Sequence, residues 1–301
     1  MKKTTLFRTA LVLTTAIAFL FLLAACKPPK DGEKLFTITD SMGREVGFDA
    51  YPERIVSVSP EVTEILFELK LGEKIVGTST YCNFPEAAKT TAKVGDYFYP
   101  NIEEIIKLNP DVVFVYKGEK VDSLIEQLGE FGIPVLSIYS ETVEGLLGNI
   151  NLVGQATGCE EQAAALVAGM RAEIEAVQAK AQGKTAPTVF YNIGDLWTPL
   201  KSSHITELIK MAGGVNIFAG VEGESYQCSW EIVLEIDPQI LLIDSDSLFW
   251  ASPIEGQPGY DGLSAVKNGR VYEVNADLIS RCGPRIVQAL QQLSECFFPE
   301  D

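Results

Sequence analysis

The stretch Asn101-Ile-Glu-Glu-Ile-Ile-Lys-Leu-Asn-Pro-Asp-Val-Val-Phe-Val115 returns later in the chain as Ser229-Trp-Glu-Ile-Val-Leu-Glu-Ile-Asp-Pro-Gln-Ile-Leu-Leu-Ile243. In each copy a polar capping residue opens a short helix, an Asn-Pro or Asp-Pro step ends it, and an apolar run suited to a buried strand follows. Glu103 matches Glu231 and Pro110 matches Pro238. A unit that occurs twice in 301 residues predicts two pseudo-equivalent halves. The sequence around each copy fits: apolar runs at 54–59, 74–78, 111–116 and 134–138 alternate with helical patterns at 60–70, 101–108 and 121–131. The alternation resumes with strands at 188–191, 239–243 and 269–274 and helices at 205–211, 231–236 and 283–298. Continuous apolar strands separated by helices imply mainly parallel sheets.

Residues 160–182 contain no proline and one glycine, Gly169, and set Leu166, Met170, Ile174 and Val177 on one stripe. At about 1.5 Å per residue this helix is ~35 Å long, enough to act as a rigid strut between two α/β halves. The fold class expected is therefore α/β, with two lobes, each a mainly parallel sheet flanked by helices, joined by one long backbone helix. The boundaries are 35–157 for the N-terminal lobe, 158–183 for the linking helix and 184–301 for the C-terminal lobe. Alternating residues at 35–40 and 45–48, around Ser-Met-Gly-Arg, predict a hairpin at the start.

Ahead of the hairpin, residues 1–25 carry Lys2, Lys3 and Arg8, then an apolar run, and no acid. That is the pattern of a secretory signal. Its end, Leu23-Ala24-Ala25-Cys26, is similar to a bacterial lipoprotein signal, in which the Cys26 thiol carries the lipid. Residues 26–34 are polar and proline-containing and read as a flexible tether. The expected location is extracytoplasmic, anchored by lipid to the outer face of the cytoplasmic membrane. Forty-one acidic residues against 24 Lys and Arg give a net charge of −17, which excludes nucleic acid as a partner. A single histidine, His204, excludes His-rich metal sites and leaves one base for any thiol or hydroxyl nucleophile. It sits in Lys201-Ser-Ser-His-Ile205, where no acid obviously orients it, so an enzyme is not expected.

Three segments carry a family resemblance: Arg54-Ile-Val-Ser-Val-Ser-Pro-Glu-Val-Thr-Glu-Ile-Leu66, the run from Lys93-Val-Gly-Asp through Asn-Pro-Asp111, and Ser280-Arg-Cys-Gly-Pro-Arg-Ile286. From about Glu53 to the C-terminus the chain resembles the helical-backbone class of substrate-binding proteins, which serve ABC importers of cobalamin, haem and ferric siderophores. It is most similar to the cobalamin-binding branch. The resemblance implies a monomeric, non-enzymatic receptor with no intrinsic cofactor. Such a receptor captures a cobamide, cobalamin or a cobinamide-like corrinoid, in the interlobe cleft and delivers it to an ABC permease dimer with its ATPase. The alternative is a receptor of the same fold for haem, a ferric siderophore or a thiophilic metal species.

Four loops at strand ends are rich in aromatics or cysteine: Thr80-Tyr-Cys-Asn-Phe84, Asp96-Tyr-Phe-Tyr-Pro100, Asp195-Leu-Trp-Thr198 and Ser225-Tyr-Gln-Cys-Ser-Trp230. Rigid rings suit a wide, flat ligand. The resemblance puts Tyr81, Tyr97, Phe98 and Tyr116 on the N-terminal side of the cleft, with Trp197 and Tyr226 facing them. It also brings Asp277 and Arg281 to the corrin side-chain amides, for which a carboxylate and a guanidinium supply acceptor and donors. The family's second-lobe tryptophan position falls near Ser225, and Leu278 and Ile279 follow Asp277 in place of aromatics. Glu103 and Glu231 match glutamates that family members offer to an arginine pocket on the permease. Arg281 is the only cation named among the cleft residues, which favours a neutral-edged corrinoid over an anionic chelate.

Five cysteines follow the tether: Cys82, Cys159, Cys228, Cys282 and Cys296. An odd number leaves at least one thiol free within the chain. Two readings stay open. Either two form a disulfide and the others pack as small apolar groups, or Cys82, Cys228 and Cys282, all in rim loops, converge on a soft metal or on the ligand's cobalt or iron.

Overall fold

A computed structural model describes residues 34–117, 121–245 and 254–299. The expected signal at 1–25 and residues 26–33 of the expected tether, with Cys26, lie outside the described residues. No helix among the described residues is long and apolar enough to cross a membrane.

The hairpin forms as expected, with β1 at Phe36–Thr39 and β2 at Glu45–Phe48. Its base is held by Phe36 stacked on Phe48 at 5.0 Å and by the Lys34–Asp49 ion pair. At its tip the buried Asp40 accepts from the amides of Met42 and Arg44, pairs with the Arg44 guanidinium, and accepts from the Ser137 amide at 3.1 Å.

The first large sheet contains β3 (Ile55–Ser57), β4 (Ile75–Thr78), β5 (Ala92–Lys93), β6 (Val112–Val115) and β7 (Val135–Ser137) in the order β5-β4-β3-β6-β7. The second contains β8 (Thr188–Asn192), β10 (Val215–Asn216), β12 (Ile240–Asp244) and β13 (Val271–Val274) in the order β10-β8-β12-β13. Every neighbouring pair in both sheets is parallel. In the second sheet the first strand lies between the second and third, and the fourth lies outside the third; β3, β4, β6 and β7 repeat that order in the first sheet, with the short β5 added at the β4 edge. Parallel neighbours require crossovers, and the crossover helices cover the faces, which is why β6 and β12 read as nearly unbroken apolar runs and are buried.

The internal repeat is visible in the backbone. Helix α2 (Ile102–Lys107) leads to β6, and α7 (Trp230–Ile236) leads to β12. Asn109 and Asp237, the residues before the matched prolines, both take left-handed conformations, at φ 45° and φ 50°. Asn and Asp tolerate that region better than most residues. The residues that follow the two repeats are Tyr116, immediately after β6, and Asp244, the last residue of β12.

The remaining helices are α1 (Pro60–Glu68), α3 (Val121–Gly129), α4 (Val143–Thr157), α5 (Glu160–Ala181), α6 (His204–Met211), α8 (Ser264–Lys267), α9 (Ala276–Ile279) and α10 (Ile286–Phe297). Helix α5 is the expected long strut. Its buried stripe is Ala163, Val167, Met170, Ile174 and Val177, so Leu166 stands one position off it and is half-buried. It packs against α4 and α10.

Helix α4 was absent from the sequence expectation. Three glycines and two asparagines dilute its pattern, yet Thr142 caps it by accepting from the Gly145 amide, and Gly158 at φ 70° ends it. Gly154 has a packing reason: a Cβ there would stand 2.5 Å from the Ala163 methyl, so only glycine lets α4 lie this close to α5.

Candidate functional site

The carboxyl ends of β3 and β6 flank the point where the strand order of the first sheet reverses, the usual ligand position in open α/β sheets. A cavity of about 310 Å³ opens there. The residues just past those strands, Pro60 and Glu61 after β3 and Tyr116 after β6, line it together with Tyr81, Tyr97, Phe98 and Tyr139. From the C-terminal lobe come Ser202, His204, Glu224, Ser280, Arg281 and Cys282.

The N-terminal wall is aromatic and prepacked. Tyr97 meets Phe98 edge-on at 5.0 Å and Tyr116 at 5.4 Å, and Tyr116 meets Tyr139 edge-on at 4.9 Å. The loop carrying Tyr97 and Phe98 is pinned locally. Asp96 accepts from the amides of Phe98 and Tyr99, and Gly95, at φ 100°, lets the chain fold back so tightly that a Cβ would lie 2.7 Å from the Asn101 nitrogen. Burial, with the Glu61 charge as a second cause, pushes the hydroxyls of Tyr97 and Tyr116 far above the usual tyrosine range, so both stay neutral. Phe98 remains largely exposed, with 61% of its surface open.

The opposite wall is polar. Arg281 is fully engaged: its guanidinium pairs with Asp277 at 2.6 Å and with Glu64 at 3.6 Å, and donates to Asn83 at 2.7 Å and to the Tyr81 carbonyl. Arg285 forms a two-pronged pair with the same Glu64, at 2.9 and 2.6 Å, and lies over the Phe84 ring. His204 donates through Nε2 to the Ile279 carbonyl at 2.8 Å, and burial holds its pKa below the ordinary histidine value. Cys282, pushed up to about 12 by burial, stays a thiol. The carboxylates Glu61, Glu141 and Glu224 therefore face the cavity without an uncommitted cation among the described lining residues.

Comparison with known proteins places this geometry. A family model described as periplasmic binding protein matches residues 55–278, most of the chain. The chain belongs to that family. Its members are binding proteins and not enzymes. An uncharacterized ABC transporter substrate-binding lipoprotein of Bacillus subtilis (strain 168), YvrC, is 30% identical over 298 residues, covering 93% of this chain and 94% of that protein. A vitamin B12-binding protein of Vibrio vulnificus (strain YJ016) is 29% identical, covering 84% of this chain and 93% of the relative. Among solved structures, the periplasmic heme-binding protein RhuT of Roseiflexus sp. RS-1 superposes with a TM-score of 0.73 at 27% identity, covering 82% of this chain and 98% of that one.

Within this binding protein, the structure brings Tyr81, Tyr97, Phe98, Tyr116, Arg281 and Cys282 to one cavity. Several other expected site residues lie elsewhere. Trp197 and Tyr226 do not line it. Two consecutive left-handed residues, Asp195 and Leu196, reverse the chain after β8, so β9 (Trp197–Pro199) pairs antiparallel with β11 (Ser225–Gln227). That ribbon presses Tyr226 onto Phe218 at 5.4 Å and leaves Trp197 at the surface. Cys228 is in the C-terminal core with Phe190, Phe218 and Trp230, and burial pushes its thiol up to about 11. Cys82 is buried beneath the cavity, in contact with the hydroxyls of Thr63 and Ser79 at 3.2 Å. Asp277 holds Arg281 and accepts from Asn83.

All five thiols are free, which corrects the disulfide reading. The converging-thiolate reading is corrected too: Cys82, Cys228 and Cys282 occupy separate environments. No group of three or more His, Cys, Asp or Glu among the described residues is arranged to hold a metal ion.

Glu103 and Glu231 are both exposed, each at the second position of its helix. Hydrogen bonds from its own amide and the Ser229 hydroxyl hold Glu231 below the usual carboxylate range. Sequence reasoning missed Glu61, Tyr139, Ser202, Glu224 and the lining role of His204. Tyr139 and Glu61 obey the same strand-end rule that pointed to Tyr116, since each follows a parallel strand by two to four residues. Ser202 and Glu224 gave no local signal, because they reach the cavity through the β9–β11 ribbon.

Proposed function

We propose that this chain is the lipid-anchored, extracytoplasmic receptor of an ABC importer and that its ligand is a corrinoid bound in the aromatic cavity. The observation that carries the reading is the cavity's asymmetry. One wall offers neutral aromatic rings, and the other offers hydrogen-bonding groups in which the guanidinium is already neutralised by Asp277 and Glu64. A flat apolar macrocycle edged with amides fits both walls. The rings cover its face, and the carboxylates Glu61, Glu141 and Glu224 accept from its amide N–H groups. Haem propionates or an anionic ferric chelate would meet like charge instead, at a cost that grows as water is excluded.

The vitamin B12-binding relatives support the corrinoid, and the lipobox ending in Cys26 with the YvrC relative supports the lipid anchor. The exposed pair Glu103 and Glu231 fits docking to a permease dimer. Each glutamate stands in the first turn of the helix that leads into a buried parallel strand, β6 in one lobe and β12 in the other. Titration of the full-length protein in detergent with cyanocobalamin, cobinamide and haemin, followed by absorbance and heat, tests the reading. Saturable one-to-one binding of both corrinoids, with haemin at least tenfold weaker, is expected. Haemin binding without corrinoid binding would overturn it.

A further inference from the structure

Among the described side chains that line the cavity, only Glu61 carries a buried polar atom, Oε1, with no hydrogen-bond partner. The residue stands in the first turn of α1, immediately past β3, at the point where the strand order reverses. The Ser59 hydroxyl and the residue's own amide bond the carboxyl, yet Oε1 stays unmatched. The nearest cation of the opposite lobe, Arg281, is committed to Asp277, Glu64, Asn83 and the Tyr81 carbonyl. Gly283 approaches so closely that a Cβ there would lie 3.4 Å from both Cα and Cβ of Glu61, which fixes the start of this side chain against the C-terminal lobe. Burial, with the Glu64 charge behind it, raises the carboxyl's pKa, while the bonds from Ser59 and its own amide and the Arg281 charge favour the ionised form. A buried acceptor left unmatched is costly, and native proteins keep few of them.

We propose that Glu61 is the ligand-selecting residue of the cavity: its Oε1 accepts a hydrogen bond from a donor on the ligand edge, and its negative charge turns away ligands that present carboxylates. The inference rests on the corrinoid reading for the identity of that donor, an amide N–H. The charge selection stands apart from it. A glutamine keeps the acceptor and removes the charge, whereas an alanine removes both, so the two roles separate.

The test compares the full-length protein with Glu61→Gln and Glu61→Ala for cobinamide and for haemin, with thermal melts to show that each variant is folded. Glu61→Ala is expected to weaken cobinamide about tenfold or more, as loss of a buried charged acceptor should. Glu61→Gln is expected to weaken cobinamide less, and both variants to tighten haemin by about threefold or more. Cobinamide and haemin affinities of both variants within twofold of the wild type would overturn the assignment. If the wild type takes haemin and not cobinamide, the corrinoid reading fails. The haemin response of Glu61→Gln then still decides Glu61: tightening supports its charge selection, and no change removes it.

Discussion

The two lobes share a four-strand order, extended in the first by the edge strand β5, and a helix-proline-strand repeat, yet they place their aromatic side chains in opposite ways. In the N-terminal lobe the rings stand at the carboxyl ends of the strands, where Tyr97, Tyr116 and Tyr139 pack on one another and face the cavity. In the C-terminal lobe they turn inward, where Phe190, Phe218 and Trp230 form the core, with Tyr226 laid over Phe218. The matched positions Tyr116 and Asp244 show the divergence most simply. Tyr116 lines the cavity, while Asp244 is buried, takes a hydrogen bond from the Tyr191 hydroxyl, and is pushed up to about 7 by burial. A shared topology sets where a ligand can lie, and the residue that leaves each strand end sets what that wall is made of.

The largest expected effect comes from breaking the contact that joins the two walls. Glu64 is 2% exposed and neutralises both Arg281 and Arg285, themselves only 15% and 13% exposed. Glu64→Ala leaves two mostly buried guanidinium groups without their shared counter-charge, and about 3–5 kcal/mol of stability should be lost. Urea unfolding checks this. A loss below about 1 kcal/mol would mean that the pair behaves like an exposed one.

The next effect concerns Asp244, whose native pKa lies above its unfolded value. The native protein therefore holds a proton that the unfolded chain releases. The stabilisation is complete below about pH 4 and is lost as pH rises through about 7. Asp244→Asn should flatten that slope and leave the variant more stable than the wild type at pH 8 by on the order of 2–3 kcal/mol. Parallel stability curves for the two proteins from pH 4 to 8 would contradict the burial-driven shift.

Much of this architecture was legible in the sequence because parallel strands and their helices leave strong periodic signals. The repeat around Pro110 and Pro238, the strut α5, and the ring-bearing loop before Pro100 all follow from apolar spacing and turn chemistry. Helix α4 was not legible. Its glycines weaken the local signal, and what makes it helical is packing against α5, a contact between separate segments. The C-terminal wall was misread for a related reason. Asp195-Leu-Trp and Ser225-Tyr-Gln are too short to announce a ribbon, and the pairing that buries Tyr226 joins residues distant in sequence. The state of Arg281 was equally hidden, since its partners Glu64 and Asn83 come from the other lobe.

The central claim is that the ligand lies against the N-terminal rings and that the C-terminal aromatics belong to their own lobe. The most direct measurement is the corrinoid affinity of Tyr116→Ala beside that of Trp197→Ala. Tyr116→Ala removes the ring that touches both Tyr97 and Tyr139 and should weaken binding about tenfold, the equivalent of about 1.4 kcal/mol. Trp197→Ala should stay within about twofold of the wild type, because Trp197 lies outside the cavity. A tenfold loss in Trp197→Ala with Tyr116→Ala unchanged would contradict the account and put the ligand on the other wall.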